Sequence, residues 1–277
     1  MTTPDTIPGV LEAPAEAALR QFEPLSRAER ILLRACVSGD IARVGFQRPE
    51  VPSAAVRLRG SLIAFLARGG GEGFRFRPRR IQLLGAWVEG RIDLGDAEVV
   101  ASLWFYRCVF DQVPLLDGAR VAGSLAFPDC RLPGLMAERC RIGGELLLNA
   151  GSEVVGEVRI ARATIDGDLK LERLRLVDEN DGTGARRPLL ADLVHVRGSV
   201  LIGGGFESGG EVRFVGAHVE GDFVAATARL TGSVDAGGAR RPALNLDRLV
   251  VEGDLRFAPG FVAAGPVRLR RARIHGD

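Results

Sequence analysis

The sequence predicts an all-β fold, a right-handed parallel β-solenoid built from strand units of about 11 residues, with a small α-helical cap at its N-terminal end. The first observation behind this prediction is a repeated frame, A-x-[VI]-x-G-x-[apolar]-x-[apolar], which is seen at 86–94, 163–171 and 217–223. The second is its recurrence every ten to twelve residues from Ala86 onward. The third is the alternation of apolar and polar residues inside each unit, which is typical of a half-buried strand.

Each unit is too short to bury its apolar side alone, so neighbouring units must stack and share a core. Two units give a coil of about 22 residues, and three units give a coil of about 33 residues. Both remain open from the sequence. The Gly of the frame is expected at a bend, where the chain needs an unusual dihedral angle or a close approach.

A longer period of five units overlies the short one. Gly90, Gly144, Gly198 and Gly253 follow one another at almost equal intervals and are expected to occupy equivalent places. Five units divide evenly into neither coil size, and the sequence offers no physical reason for this period.

The chain divides into a tail (1–9), an α-helical cap (10–73) and the solenoid (74–277). In the cap, Ser26-Arg27-Ala28-Glu29 is a capping box that opens a helix, and Gly39 ends it. A second helix is expected from about 54 to 67. The cap would cover the strand edges at the end of the solenoid.

The segment 74–83 alternates Phe and Arg and contains the densest basic patch of the chain. Its cations are Arg75, Arg77, Arg79 and Arg80. Together with the second helix, this patch supports an alternative function, in which the protein associates with an anionic membrane surface. Packing of its Phe side under the helices, with the Arg side in solvent, explains the same pattern.

Composition excludes little about chemistry. The 37 basic and 35 acidic residues nearly balance, which argues against a nucleic-acid partner and against mimicry of DNA. No signal-peptide pattern and no long apolar run are present, so a cytoplasmic location is expected, with membrane association only at the surface.

Cys108, Cys130 and Cys140 occupy the first position of the frame and are predicted to fill the core.

No catalytic residue, cofactor site or metal site is predicted. Asp166 with Asp168, Glu220 with Asp222, and Glu252 with Asp254 flank the frame Gly, and they leave open a second alternative, an enzyme with carboxylates on the solenoid flank. His195 and His218 would stack on the outer surface of a two-unit coil, without a third ligand for a metal.

From residue 81 onward, phrases such as Leu-Val-Val-Glu-Gly-Asp-Leu-Arg-Phe (249–257) and Ala-Arg-Ile-His-Gly-Asp (272–277) resemble a group of uncharacterised bacterial β-solenoid repeat proteins. Members of that group are often labelled membrane-associated oxidoreductases, and more loosely they are similar to pentapeptide-repeat proteins. The resemblance implies a fold and no catalytic residue.

The function expected from these observations is a non-catalytic scaffold, a rigid surface for protein binding or self-assembly. The repeat stops within a frame at 276–277, which indicates either a fragment of a longer repeat or an end that another chain covers. In the second case, end-to-end assembly is expected as one form of this role.

Overall fold

The computed structural model describes residues 17–70, 79–177, 187–232, 238 and 240–277. These residues form a parallel β-solenoid with four sides, and each side is one long sheet of short parallel strands. The chain runs through the sides in a fixed order, which we label A, B, C and D. The predicted fold class is confirmed.

The strands of each sheet stack in register. Sheet A contains β1 (Ala42–Arg43), β3 (Arg80–Leu84), β6 (Ser102–Tyr106), β9 (Leu125–Ala126), β13 (Leu146–Leu147), β17 (Leu169–Lys170), β21 (Val200–Ile202), β25 (Phe223–Ala225) and β29 (Leu255–Phe257). Sheet B contains β2 (Arg57–Arg59), β4 (Trp87–Glu89), β7 (Val109–Phe110), β10 (Arg131–Leu132), β14 (Glu153–Val154), β18 (Arg175–Leu176), β22 (Glu207–Ser208), β26 (Arg229–Leu230) and β30 (Val262–Ala263). Sheet C contains β11 (Leu135–Met136), β15 (Val158–Arg159), β19 (Leu189–Leu190), β23 (Val212–Arg213), β27 (Leu244–Asn245) and β31 (Val267–Arg268). Sheet D contains β5 (Glu98–Val99), β8 (Arg120–Val121), β12 (Arg141–Ile142), β16 (Thr164–Ile165), β20 (His195–Val196), β24 (His218–Val219), β28 (Val250–Val251) and β32 (Arg273–Ile274).

The shorter of the two expected coils, built from two units, is the basic coil of the solenoid. Arg120 pairs with Arg141, and Arg141 pairs with Thr164, so register partners in adjacent coils are two sequence units apart. One sequence unit therefore builds two sides of the coil, and two units close it.

The five-unit period now has a physical cause. Thr164 pairs with His195, and His195 pairs with His218 in the next coil. The first two residues are further apart in sequence than the second two, and the difference is most of one unit. From this point on, long and short coils alternate, because every second coil carries extra residues between sheets B and C. A long coil spans three units and a short coil two, so each pair of coils spans five. The predicted equivalence of Gly90 and Gly144 is wrong. Trp87, three residues before Gly90, lies in sheet B, whereas Arg141, three residues before Gly144, lies in sheet D.

Apolar side chains from all four sheets fill the interior as one continuous core. The cysteines fill the core as predicted, and Cys108 stacks on Cys130 two units further along the chain, since the amide of Cys108 donates to Sγ of Cys130 at 3.4 Å. Ser152 continues this column, and its Oγ accepts from the amide of Cys130 at 3.0 Å. Cys140 lies in another column and is also buried.

In the frames of sheet D, as at Gly198, Gly221 and Gly253, the Gly serves a close approach. A Cβ added to Gly221 would lie 2.8 Å from the carbonyl oxygen of Gly198 in the coil before it. Gly90 instead has a left-handed φ of 74° and open space where a Cβ would lie. Most of the other left-handed dihedrals of the coils occur at the corners that precede sheets B and D, largely on non-Gly residues such as Arg107, Arg162 and Arg248.

The N-terminal segment covers the first coil. Its described helices include a 3-10 helix (Arg20–Phe22), α1 (Arg27–Ser38) and α2 (Gly60–Ala67). The predicted capping box is present at Ser26 and Glu29, and Gly39 ends α1 with a φ of 80°. Helix α1 packs over β1, β2 and β3.

The second helix begins later than predicted. Residues 57–59 form β2, which pairs with β4, so the helix starts at Gly60 and not at residue 54. Strands of the solenoid thus begin inside the segment 10–73 that was expected to be a helical cap. Pairing with β4 satisfies the backbone of residues 57–59, and this interaction overrides the local helical pattern. The predicted tail (1–9) lies outside the described residues.

Helix α2 takes the place of strands on sides C and D in the first coil. The amide of Val100 donates to the carbonyl of Ala67 at 3.1 Å. Leu62, Ile63 and Leu66 are fully buried against the solenoid. No helix among the described residues is long and apolar enough to cross a membrane.

Candidate interaction surface

The outer faces of the solenoid differ in chemistry. On sheet B, the outward residues from β10 to β26 alternate in charge, and Arg175 pairs with Glu153 at 2.9 Å and with Glu207 at 3.5 Å. On sheet D, Arg197 pairs with Asp166 at 3.1 Å. On sheet C, Arg213 pairs with Asp192 at 2.6 Å. These faces are therefore covered by short ion-pair ladders in which charges of adjacent coils neutralise one another.

Sheet A carries an apolar column on its outer face, which we call the A-face column. Its members are the register partners along the sheet, Gln82, Trp104, Ala126, Leu147, Lys170, Leu201, Val224 and Arg256. Trp104, Leu201 and Val224 are partly exposed. Ala126 and Leu147 are shielded by their neighbours in the column, yet they are not part of the core cluster. The ring of Tyr106 stacks on Trp104 at 5.8 Å and widens the apolar surface.

The sequence contains a signal for this face that the alternation rule misses. At five of the passages through sheet A, three apolar residues follow one another, namely at 103–105, 125–127, 146–148, 200–202 and 223–225. The outer two point into the core, so the middle one must face outward. Sheet A therefore departs at these passages from the alternation of apolar and polar residues that is predicted for each unit.

Beside the A-face column runs a hydrogen-bonded column of Ser and Asp, which we call the Ser/Asp ladder. Each side-chain oxygen accepts the backbone amide of the residue at the same place in the next coil; for example, Asp222 Oδ1 accepts from Asp254 at 2.9 Å and Ser199 Oγ from Asp222 at 3.1 Å. The acceptors are Ser102, Ser124, Asp168, Ser199, Asp222 and Asp254. The residue that follows the frame Gly thus satisfies backbone donors at the corner between sheets D and A.

One carboxylate of each predicted pair is a member of this ladder. Asp168, Asp222 and Asp254 bind backbone amides at that corner. Their predicted partners lie on sheet D and have other side-chain partners, with Asp166 bound to Arg197 and Glu220 to His195. The two carboxylates of a pair thus have separate partners and separate structural roles.

Lys170, the single lysine of the chain, interrupts the A-face column. Its ammonium bonds to Glu145 at 2.5 Å and lies 3.3 Å from Asp168. The hydrogen bond to Glu145 raises the pKa of Lys170 above its usual range.

The histidines stack on sheet D, as predicted for a two-unit coil. The rings of His195 and His218 are parallel, with centroids 4.9 Å apart. His218 and His275 both bond to Glu252, at 3.0 and 2.6 Å, and these bonds lower the pKa of that carboxyl. In the part of the chain that the structure describes, no three His, Cys, Asp or Glu side chains are placed to share a metal ion.

A cleft of ≈ 830 Å³ lies between segment 47–50 and the outer face of sheet B. Trp87 and Val109 contribute apolar surface to its lining. Arg48 reaches from the segment to Asp129 at 3.6 Å and to Glu153 at 3.9 Å. Arg48 therefore pairs with two of the three carboxylates that line the cleft.

The predicted basic patch is only partly described. Arg79 and Arg80 are exposed at the N-terminal end of sheet A, and Arg80 lies in line with the Ser/Asp ladder. Arg75 and Arg77 lie outside the described residues.

Comparison with known proteins gives no match to a family model, to a curated protein or to a solved structure.

Proposed function

We propose that this protein is a non-catalytic scaffold that binds a protein partner through the outer face of sheet A. The observation that carries the proposal is the A-face column, in which Trp104, Leu201 and Val224 are partly exposed on the outer face of a rigid sheet. Exposed apolar side chains grouped on one face with a polar border are typical of a protein-binding site. Aromatic residues such as Trp and Tyr are enriched at such sites.

The rigidity of the solenoid supports this role. From the second coil onward, each coil is bonded to the next on all four sides, and the flanks are reinforced by the Ser/Asp ladder and by the ion pairs of sheets B, C and D. A face held in this way loses little conformational freedom on binding, which favours affinity.

The membrane alternative has weaker support. It requires the apolar side of the second helix to meet lipid, and Leu62, Ile63 and Leu66 are instead packed inside the solenoid. The alternative of an enzyme on the flank requires carboxylates that converge on one cleft. Asp166 and Asp168 have separate ion-pair partners, on sheets D and A respectively.

The test compares the wild-type protein with a Leu201→Asp, Val224→Asp double variant. Thr164→Asp is the matched control, since Thr164 is a partly exposed outward residue of sheet D. Each protein also carries a photo-crosslinking aromatic residue in place of Trp104, which is partly exposed in the same column, and crosslinked partners in cells of the source are identified by mass spectrometry.

We expect one defined protein to be crosslinked by the wild type and the control. Its yield should fall at least about tenfold in the double variant, because a buried unpaired carboxylate strongly opposes association. Binding should then be reproduced with both purified proteins. Equal recovery of the same proteins by all three forms would refute the proposal.

A further inference from the structure

We propose that arginine clusters on the corner between sheets C and D bind phosphate monoesters. The first cluster consists of Arg139, Arg141 and Arg162, whose side chains are exposed. No side chain in the described part of the chain neutralises these three arginines. The cluster lies at the opposite edge of sheet D from the Ser/Asp ladder, so this inference is independent of the A-face column and of the proposed function.

The backbone brings the three arginines together. Arg139 and Arg162 occupy the same corner position in adjacent coils, since the amide of Arg139 donates to the carbonyl of Ala161 at 2.9 Å. Adjacent coils are about 4.8 Å apart. Arg141 follows two residues after Arg139, on the outer side of β12. Elsewhere on sheet D an arginine reaches a carboxylate of the adjacent coil at 2.6 Å, so the three guanidinium groups can converge on one anion.

The carboxylates near this corner have other partners. Glu138, the residue before the corner, lies 3.6 Å from Arg159 on sheet C. Asp117 in the preceding coil accepts the amide of Glu138 at 2.8 Å. Asp166 on sheet D pairs with Arg197 at 3.1 Å. The positive charge of the cluster is therefore left for an external anion.

The fold does not require arginine at this corner. The position of Arg139 and Arg162 is taken by Gly118 in the preceding coil and by Gly216 in a later one, and all four residues have left-handed φ angles. Like charges on neighbouring strands are destabilising, and sheet B avoids them by alternating the sign of its outward charges. Two guanidinium groups held one coil apart, where Gly would serve the backbone, point to a binding role.

A second cluster of the same design lies further along the corner. Arg248 and Arg271 occupy the corner position in adjacent coils, with φ angles of 62° and 59°, and Arg273 follows on sheet D. The neighbouring carboxylate of Asp247 is again bound by an arginine of sheet C, Arg268. The corner therefore offers two equivalent sites.

A phosphate monoester fits three guanidinium groups better than other common anions do. It carries a charge of about −1.5 to −2 near neutral pH and three acceptor oxygens, whereas a carboxylate or a phosphodiester carries a single charge. Guanidinium groups bind phosphate through two parallel hydrogen bonds, and an ammonium group lacks this geometry. The group can belong to a soluble phosphorylated molecule or to the headgroup of a lipid.

The test follows the Nε–Hε signals of the arginines by NMR during titration with glycerol 3-phosphate at low ionic strength. We expect a dissociation constant of about 1 mM or lower at each cluster and weaker binding as salt is added. In an Arg139→Gln, Arg162→Gln variant, binding at the first cluster should weaken at least about tenfold while the second is unchanged. The matched control is Arg173→Gln, an exposed left-handed corner residue with the uncharged neighbours Ala150 and Gly204 in its column, which should bind like the wild type.

The melting temperature of the same variant gives a second readout. Removal of two mutually repelling charges should leave it unchanged or raise it at low salt. A lower melting temperature would assign the arginines a structural role and would contradict the inference.

Cosedimentation with vesicles distinguishes the two sources of the phosphate group. The vesicles contain phosphatidylcholine with about 20 mol % of either phosphatidic acid, a monoester, or phosphatidylglycerol, a diester. Pelleting with phosphatidic acid alone, abolished when the corner arginines of both clusters are replaced by Gln, identifies a lipid headgroup. Binding of glycerol 3-phosphate without pelleting identifies a soluble ligand. Either result supports the inference.

Four results would overturn it. The first is no shift of these arginine signals with glycerol 3-phosphate up to about 20 mM. The second is an equal loss of binding in Arg173→Gln, and the third is binding of acetate as strong as that of glycerol 3-phosphate. The fourth is tighter binding of a single-stranded oligonucleotide, which would assign the corner to a phosphodiester backbone.

Discussion

Arg59 donates three hydrogen bonds to the carboxylate of Glu29, from its amide at 3.2 Å, from Nε at 2.6 Å and from Nη2 at 2.7 Å. Glu29 is buried and at the same time closes the capping box by accepting from the amide of Ser26 at 2.8 Å. Arg59 ends β2 and immediately precedes α2. One carboxylate therefore joins the start of α1 to the point where the solenoid strand passes into the second helix.

Replacement of Glu29 by Ala should lower the free energy of unfolding by about 3 kcal/mol, because it leaves the Arg59 guanidinium without its buried partner and removes half of the capping box. We take the lower end of the range for a broken buried pair, since a third of the Arg59 side chain is exposed. Thermal and urea denaturation measure the change. The control is Glu172→Ala, at an exposed position, which should stay within about 0.5 kcal/mol of the wild type. Equal effects of the two changes would contradict the assigned role of the pair.

The same carboxylate predicts a pH dependence of stability. Burial alone would raise the pKa of Glu29, but the hydrogen bonds from Arg59 and from the amide of Ser26 outweigh it and hold the pKa below 4.5. Because the folded pKa is depressed, the stabilisation is complete above pH 4.5 and is lost as the pH falls through the folded pKa. The wild type should therefore be more stable than Glu29→Gln by a constant margin near neutral pH, and the margin should shrink in acid. A margin that persists or grows toward pH 3 would show that the carboxylate is not responsible.

The Ser/Asp ladder predicts which side chains can follow the frame Gly. Asp222→Ala should cost about 1–2 kcal/mol, because the amide of Asp254 loses its acceptor at a partly buried corner. Asp222→Ser should cost less than about 0.5 kcal/mol, since Ser199 already performs this task one coil earlier. Urea denaturation of the two variants checks the order. If Asp222→Ser and Asp222→Ala are equally destabilising, the charge of Asp222, and not its hydrogen bond to the amide of Asp254, stabilises this corner.

Much of the fold can be predicted because the repeat reports burial directly. In the frame at 140–146, for example, Ile142 points inward from sheet D and Leu146 points inward from sheet A. The capping box at Ser26 can be predicted because it depends only on local contacts. The coil size cannot be chosen from the sequence, because two-unit and three-unit coils place the same apolar residues inside. The start of α2 is misplaced because residues 57–59 pair with β4, a partner that the local pattern does not reveal.

The candidate site escapes prediction for a related reason. The alternation rule assigns one dry face and one wet face, and it treats the outward Leu147 and Leu201 as part of an apolar run. Only the register of sheet A shows that these middle residues fall in line with Trp104 across successive coils. The role of Asp222 is equally hidden, because its acceptor function depends on the amide of Asp254 in the next coil.

Close stacking predicts that Gly221 cannot be enlarged. A Cβ there would lie 2.8 Å and 2.9 Å from the carbonyl oxygen and carbon of Gly198, and backbone atoms of a paired coil have little room to move. Gly221→Ala should destabilise the protein by about 2–3 kcal/mol. The matched control is Gly95→Ala, whose Cβ would lie 3.5 Å from Asp93 Oδ1, an ordinary contact. That variant should be neutral or slightly stabilising, through a less flexible unfolded chain. A neutral Gly221→Ala would show that adjacent coils can separate at this corner.

The buried cysteines predict a chemical measure of folding. Burial raises the pKa of Cys36 and of Cys140 to about 12, and raises that of Cys130 well above its usual range. Because the thiolate is the reactive form, a disulfide reagent at about pH 8 should label no cysteine of the folded protein and all four in concentrated guanidinium chloride. Thr164→Cys, on the outer face of sheet D, should add one thiol that reacts at once. With increasing denaturant, labelling of Cys36 before Cys130 would show that the N-terminal helices open before the coils. Rapid labelling of Cys130 in the folded protein would contradict the close-packed interior from which this expectation comes.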